Sequence, residues 1–220
     1  MPGRRTTRTT TGTGLALAGL LAASHATAGD PRVPPGHDPG GTPVALLTTG
    51  IDYTRPEIAA RLARDGEGEI IGWDVAGEDR LPFPSGGGDG DTALVLDLIA
   101  ATAATPALSL LPVRIDPADP VSLAKALAFI TRTPARTVLV PMWSSARDDW
   151  EPFRLAAEHY PSLRIVVPAC AERPAVPDTA VYPRDLGLPN TLTVAPPDGD
   201  PAAAWIGPVT RLPCLDADAR

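Results

Sequence analysis

The stretch Val44-Ala45-Leu46-Leu47-Thr48-Thr49-Gly50-Ile51-Asp52-Tyr53-Thr54-Arg55-Pro56-Glu57-Ile58 decides the fold. A run of apolar residues of strand length ends in two threonines and a glycine, then gives way to helix-opening chemistry. Thr54 with Glu57 three residues on has the spacing of a capping box, Pro56 suits an early helical position, and Gly66 can close the helix. Working outward, further apolar runs lie at 69–75, 108–115, 136–143, 163–169 and 191–195, with helical spacing at 56–65, 92–104, 121–131 and 149–160. Strands apolar on both faces and separated by helices predict a mainly parallel sheet covered on both sides, a three-layer α/β/α domain.

Composition agrees with this class. Of the 220 residues, 44% are hydrophobic and only 5% aromatic, so the core is built from Ala, Val, Leu and Ile. The amino end carries Arg4, Arg5 and Arg8, then the short apolar run 14–23 and the small-residue site Ala26-Thr27-Ala28. This reads as a secretory signal, residues 1–28, cleaved after Ala28, and the apolar run is too short for a membrane span. The threonines after Arg4-Arg5 fit a twin-arginine route poorly. Residues 29–42, rich in Pro and Gly, form a flexible leader to a domain over 43–220. The expected product is exported, periplasmic or extracellular, with no membrane span. Loss of three arginines and no acid takes the formal charge from −7 to −10, which argues against nucleic acid as a partner. Cys170 and Cys214 are either a disulfide, worth roughly 4 kcal/mol on a chain-entropy argument, or two buried thiols.

In an open parallel sheet, ligands and catalysis sit beyond the carboxyl ends of the strands. The first such end, Thr48-Thr49-Gly50-Ile51-Asp52, resembles the first catalytic motif of the subtilases, the subtilisin-like serine peptidases, in which V-A-V-x-D-T-G-I-D precedes H-P and an acidic helix start. Thr49, Gly50, Ile51, Asp52, Pro56 and Glu57 match, and Thr48 stands where that family carries its aspartate. Five later stretches resemble the family in order: 69–75, 108–115, 136–145 at the substrate-binding S-x-G strand, 164–172 before the oxyanion asparagine, and 183–196.

The resemblance implies a subtilisin-like fold, and it also implies that the family's chemistry is gone. A serine triad needs a histidine to accept the nucleophile's proton and a carboxylate to orient it. Asp91 aligns with the histidine position, and no histidine lies between His37 and His159. Ala171 falls at the oxyanion position, where loss of one donor costs roughly 10²–10³ in rate. Pro141 and Trp143 take the substrate-groove positions: proline has no N–H for an extended peptide, and an indole fills the groove floor. No G-T-S-x-A-x-P turn is found, so the resemblance implies a domain lacking the nucleophile helix at its carboxyl end. Such a domain should show an apolar patch, with Leu94, Leu96 and Leu98 crowding the helix over 92–104.

Blander readings stand beside these. Asp89 lies in a turn-like glycine-rich run and Asp91 or Thr92 caps the helix, so Asp89, Asp91 and Asp97 are read as capping or solvated acids rather than metal ligands, and no metal or cofactor is expected. His159 ends a helix, where it complements the dipole. Trp73, Trp143, Trp150 and Trp205 are core residues or partner anchors, with Trp73 alternating with core residues, and Asp148-Asp149 begins a helix. The functional expectation is an inactive subtilase homologue that binds a protein or peptide over the surface left by the missing helix. The alternatives are a decayed fragment, one half of a split serine endopeptidase, and an enzyme with different chemistry at Asp91.

Overall fold

Strand β1 (Thr42–Thr48) organises the molecule. The structure is a computed structural model that describes residues 30–102, 108–168, 180, 182–194 and 215–216. Strands β2 (Trp73–Asp74) and β3 (Leu108–Arg114) lie on one side of β1. Strands β4 (Thr137–Leu139), β6 (Arg164–Pro168) and β7 (Thr191–Val194) lie on the other, giving the order β2-β3-β1-β4-β6-β7. Every pairing in this sheet is parallel. A separate parallel pair joins β5 (Met142–Trp143) to β8 (Leu215–Asp216).

The double-faced burial read from β1 is explicit. Val44 and Leu46 point into one core with Ile51, Tyr53, Ile58, Leu62, Leu94, Val95 and Leu98. Ala45 and Leu47 point into the other with Leu111, Val113, Leu127, Ile130, Phe153 and Ala157. The first core lies under α1 (Pro56–Ala59) and α2 (Thr92–Ala101). The second lies under α3 (Pro120–Ile130) and α4 (Glu151–His159). Successive residues of one strand facing opposite cores is the period of two that a covered parallel sheet requires.

Several local expectations are corrected. The helix expected over 56–65 is the short α1, its N-cap is Arg55, and no side-chain cap forms there. Thr54 instead donates its hydroxyl to Asp52. The chain leaves the helix because the next residues join the sheet: Leu110 N donates to Arg61 O at 2.7 Å, and Ala63 N to Leu110 O at 2.8 Å. The strand expected over 69–75 shortens to β2. The strand expected over 136–143 breaks where Pro141 supplies no N–H to continue the ladder, so β4 and β5 are distinct.

The third helix keeps its predicted start, with Asp119 Oδ1 accepting from Val121 N at 3.0 Å and Pro120 following. The segment after β5 opens with a 3₁₀ turn, Arg147–Trp150, and α4 ends at His159. Trp150 is buried and donates its indole N–H to Ser144 Oγ at 2.8 Å. Leu94 and Leu98 are buried by the chain's own residues and Leu96 is half-buried, so the apolar face expected on α2 is covered from within.

Candidate functional site at the end of the central strand

Two glycines bring the end of β1 against the start of α2. Gly50 has φ +120°, and a Cβ there would lie 2.6 Å from Pro84 Cα. Gly90 has φ +51°, and its Cβ would lie 2.2 Å from Gly50 O. Only glycine tolerates both the conformation and the approach. Ile51 and Gly90 therefore form an antiparallel bridge, and Asp91 N donates to Gly50 O at 2.8 Å.

That approach delivers the Asp91 carboxylate to Thr48 and Thr49. Thr48 Oγ1 lies 2.9 Å from Asp91 Oδ2, and Thr49 N donates to the same oxygen at 2.7 Å. Thr48 Oγ1 also accepts from Gly50 N at 3.1 Å and lies 3.3 Å from Gly50 O. A hydroxyl has one proton to give, and the shorter contact to an ionised acceptor takes it. Beside this pair, Asp52 N donates to Thr92 Oγ1 at 2.8 Å, and Thr92 Oγ1 donates to Asp89 O. Thr48 is 0% exposed, Thr92 2% and Asp91 3%.

Asp91 is therefore neither a solvated acid nor a side-chain cap. It occupies the N-cap position of α2, but its carboxylate turns to the strand end rather than to its own helix amides. This corrects the local expectation for that residue. The structure brings together Thr48 and Asp91, the two residues aligned with family triad positions. Pro141 and Trp143 lie at β5, where Trp143 is buried. Ala171, Cys170, Cys214 and Trp205, and the amino-terminal signal, lie outside the described residues.

A second polar group gathers at the neighbouring strand ends, and sequence reasoning missed it. Asp74, which ends β2, accepts from Ala76 N at 2.9 Å and Gly77 N at 3.0 Å and forms an ion pair with Arg114 at the end of β3. Asp30 and Asp79 place carboxylate oxygens within 4.8 Å of each other and of Asp74. Burial, then the charge of Asp79, holds the Asp30 carboxyl above the usual carboxylate range, with Arg114 opposing. Burial also raises the Tyr53 phenol, which donates to Pro31 O at 2.7 Å. Among the described residues these three acids are the group that could face a cation, and Arg114 already supplies Asp74 with a positive partner. The available sequence signal was the position of Asp74 at a strand's carboxyl end.

A concavity of about 780 Å³ lies elsewhere: Trp73 and Phe129 stack at 5.5 Å in its wall, and Lys125 and Arg132 line it too. A cavity of about 50 Å³ lies beside β5, lined by residues including Ile115, Leu123, Met142 and Trp150. Among the described residues, no helix is long and apolar enough to cross a membrane.

Comparison with known proteins places the fold. No protein-family profile matches the sequence, and no curated protein matches it. Among solved structures, the crystal structure of a lanthipeptide protease superposes with a TM-score of 0.50 at 15% identity, covering 71% of this chain and 49% of that one. A cold-adapted subtilisin-like serine proteinase gives a TM-score of 0.37 at 12% identity, covering 62% of this chain and 52% of that one. This chain thus spans about half the length of each. The class that fold and topology define is a mixed α/β domain with a mainly parallel sheet between helices, broadly subtilisin-like. The likeness is to the fold of a peptidase, at a distance where sequence identity assigns no activity.

Proposed function

We propose that the chain is an exported, non-proteolytic homologue of the subtilisin-like peptidases that works by binding a protein or peptide. The observation that carries the non-proteolytic part of this reading is the buried Thr48–Asp91 hydrogen bond at the carboxyl end of the central strand. A peptidase of this class needs a base that takes up and returns a proton at the scissile bond. Threonine holds no charge near neutral pH, and the Asp91 carboxylate already accepts from the Thr48 hydroxyl and the Thr49 amide. With both residues closed to solvent, no reacting group can approach them within the ~3 Å that proton transfer requires. The pair acts as a lock between strand and helix. The aminoterminal signal-like stretch supports export.

The test is turnover of casein and of small ester substrates by the purified chain, with labelling by a fluorophosphonate. No turnover and no label are expected. Hydrolysis that survives extensive purification and disappears in Asp91→Asn would overturn the reading and assign Asp91 a chemical role.

A further inference from the structure

The concavity of about 780 Å³ forms where the second core reaches the edge strand β2. Trp73 and Phe129 pack against that core while only half-buried, and both line the concavity, their rings stacked at 5.5 Å with 21° between the planes. Phe129 belongs to α3, as do Lys125, one turn earlier, and Ala128. Arg132 follows three residues after Phe129, and its backbone N–H donates to Phe129 O at 3.0 Å, which prolongs the helical turn. Positions 125, 128, 129 and 132 have the spacing of one helix face. A flat aromatic surface therefore lies between two cations, and the short side chain of Ala128 leaves the space beside it open.

The charges around that surface are unbalanced. Asp65 and Arg80, also in the lining, answer each other at 3.7 Å, which leaves Glu78 against Lys125 and Arg132. Both of these cations are exposed, and among the described residues neither takes part in an ion pair. A recess of net positive charge stands out on a chain of formal charge −7, whose field otherwise repels anions. Its volume falls in the range of roughly 300–1,000 Å³ usual for small-molecule sites, which join apolar walls to a few placed polar groups. We propose that this concavity binds a planar aromatic anion, its ring extending the Trp73–Phe129 stack and its carboxylate lying between Lys125 and Arg132. An aromatic face favours a further ring in offset stacking, and the flanking ammonium and guanidinium select the charged form of the ligand. The site shares no lining residue with the Thr48–Asp91 strand end and does not rest on the protein- or peptide-binding reading above.

The experiment titrates the full chain by calorimetry at low salt with naphthoate as the probe, naphthamide as its uncharged isostere and decahydronaphthoate as its saturated counterpart. Naphthoate should bind with a Kd of about 0.1–1 mM, as its size allows. The other two should bind about three- to tenfold more weakly, one for want of the charge and one for want of the flat ring. Lys125→Gln and Arg132→Gln change exposed side chains and leave the fold intact, and each should weaken naphthoate about two- to fivefold. Ala128→Trp, which fills the recess, should abolish binding. Lys125 is the sole lysine of the chain, so acylation of its amine, followed by mass spectrometry of the peptide that carries it, reports on this site alone. Naphthoate should slow that acylation and naphthamide should not. Absence of naphthoate binding at ~5 mM would overturn the proposal, as would equal binding of naphthoate and naphthamide. Binding that both glutamine variants leave unchanged would overturn it too, by placing the ligand elsewhere on the protein.

Discussion

Replacing Thr48 by valine keeps the shape of a fully buried side chain and removes its hydroxyl, which isolates the bond between strand and helix. The Asp91 carboxylate loses one of its donors, a charge-assisted bond of about 1.5–3 kcal/mol. The Gly50 amide loses its acceptor, and a buried unsatisfied donor costs about 1–3 kcal/mol. The added methyl returns about 0.8 kcal/mol in burial. The net is a loss of about 2–5 kcal/mol, and for a chain of this size about 2–4 °C of Tm accompanies each kcal/mol, so Tm should fall by about 4–20 °C. Urea unfolding followed by tryptophan fluorescence gives the free energy directly. Thr48→Ser, which keeps the hydroxyl, should lose about 1 kcal/mol. A cycle of Thr48→Val with Asp91→Ala should show a coupling of about 1.5–3 kcal/mol. A Thr48→Val protein within about 0.5 kcal/mol of wild type, or an additive cycle, would show that the contact holds nothing together.

Two further predictions use the same strand ends. Asp30 has its carboxyl raised by burial and by Asp79, so its ionisation opposes folding. Its favourable state is present below the unfolded value of about 3.9 and is lost as pH rises through the higher folded value. Asp30→Asn should therefore raise Tm at neutral pH, with the gain vanishing near pH 3 or below in a calorimetric pH series, and a gain independent of pH would exclude the charge as its cause. Thr48→Asp places a second buried carboxylate against Asp91 and should destabilise the chain. Adding Asp91→His should recover stability in urea unfolding, because a carboxylate–imidazole pair replaces two like charges, and a double variant no more stable than Thr48→Asp would refute the facing geometry.

What was legible in the sequence was whatever depended on neighbours in the chain. The alternation of Val44 and Leu46 against Ala45 and Leu47 could not be told from a plain apolar run, yet the run's length and its separation from helices sufficed for a parallel sheet. Thr54 and Glu57 misled for the opposite reason. They are a sound local cap, but the ladder from Arg61 and Ala63 to Leu110 takes the chain into the sheet before the helix can lengthen. Asp91 was read as a cap because its sequence neighbours favour one, whereas its carboxylate answers to Thr48, 43 residues away. The glycines at 50 and 90 were the missing signal: each is needed for the close approach, and together they mark where strand end and helix start meet. Asp30, Asp74 and Asp79 come from separated segments, so no spacing announced them.

The disposition of charge at that meeting point bears on what the pair contributes to the fold. In the subtilase pattern that the sequence resembles, the acid ends the strand and the group that becomes cationic starts the helix. A positive charge there faces the positive end of the helix dipole, a cost that catalysis justifies and folding does not. Here the acid starts the ten-residue α2, where the dipole favours a negative charge by about 0.3–1 kcal/mol, and up to about 2 kcal/mol when partly buried. The strand end carries a neutral donor matched to it. A donor facing an acceptor matters in a buried site, since an unpaired buried carboxylate costs several kcal/mol. The arrangement is therefore one that stabilises the junction of strand and helix.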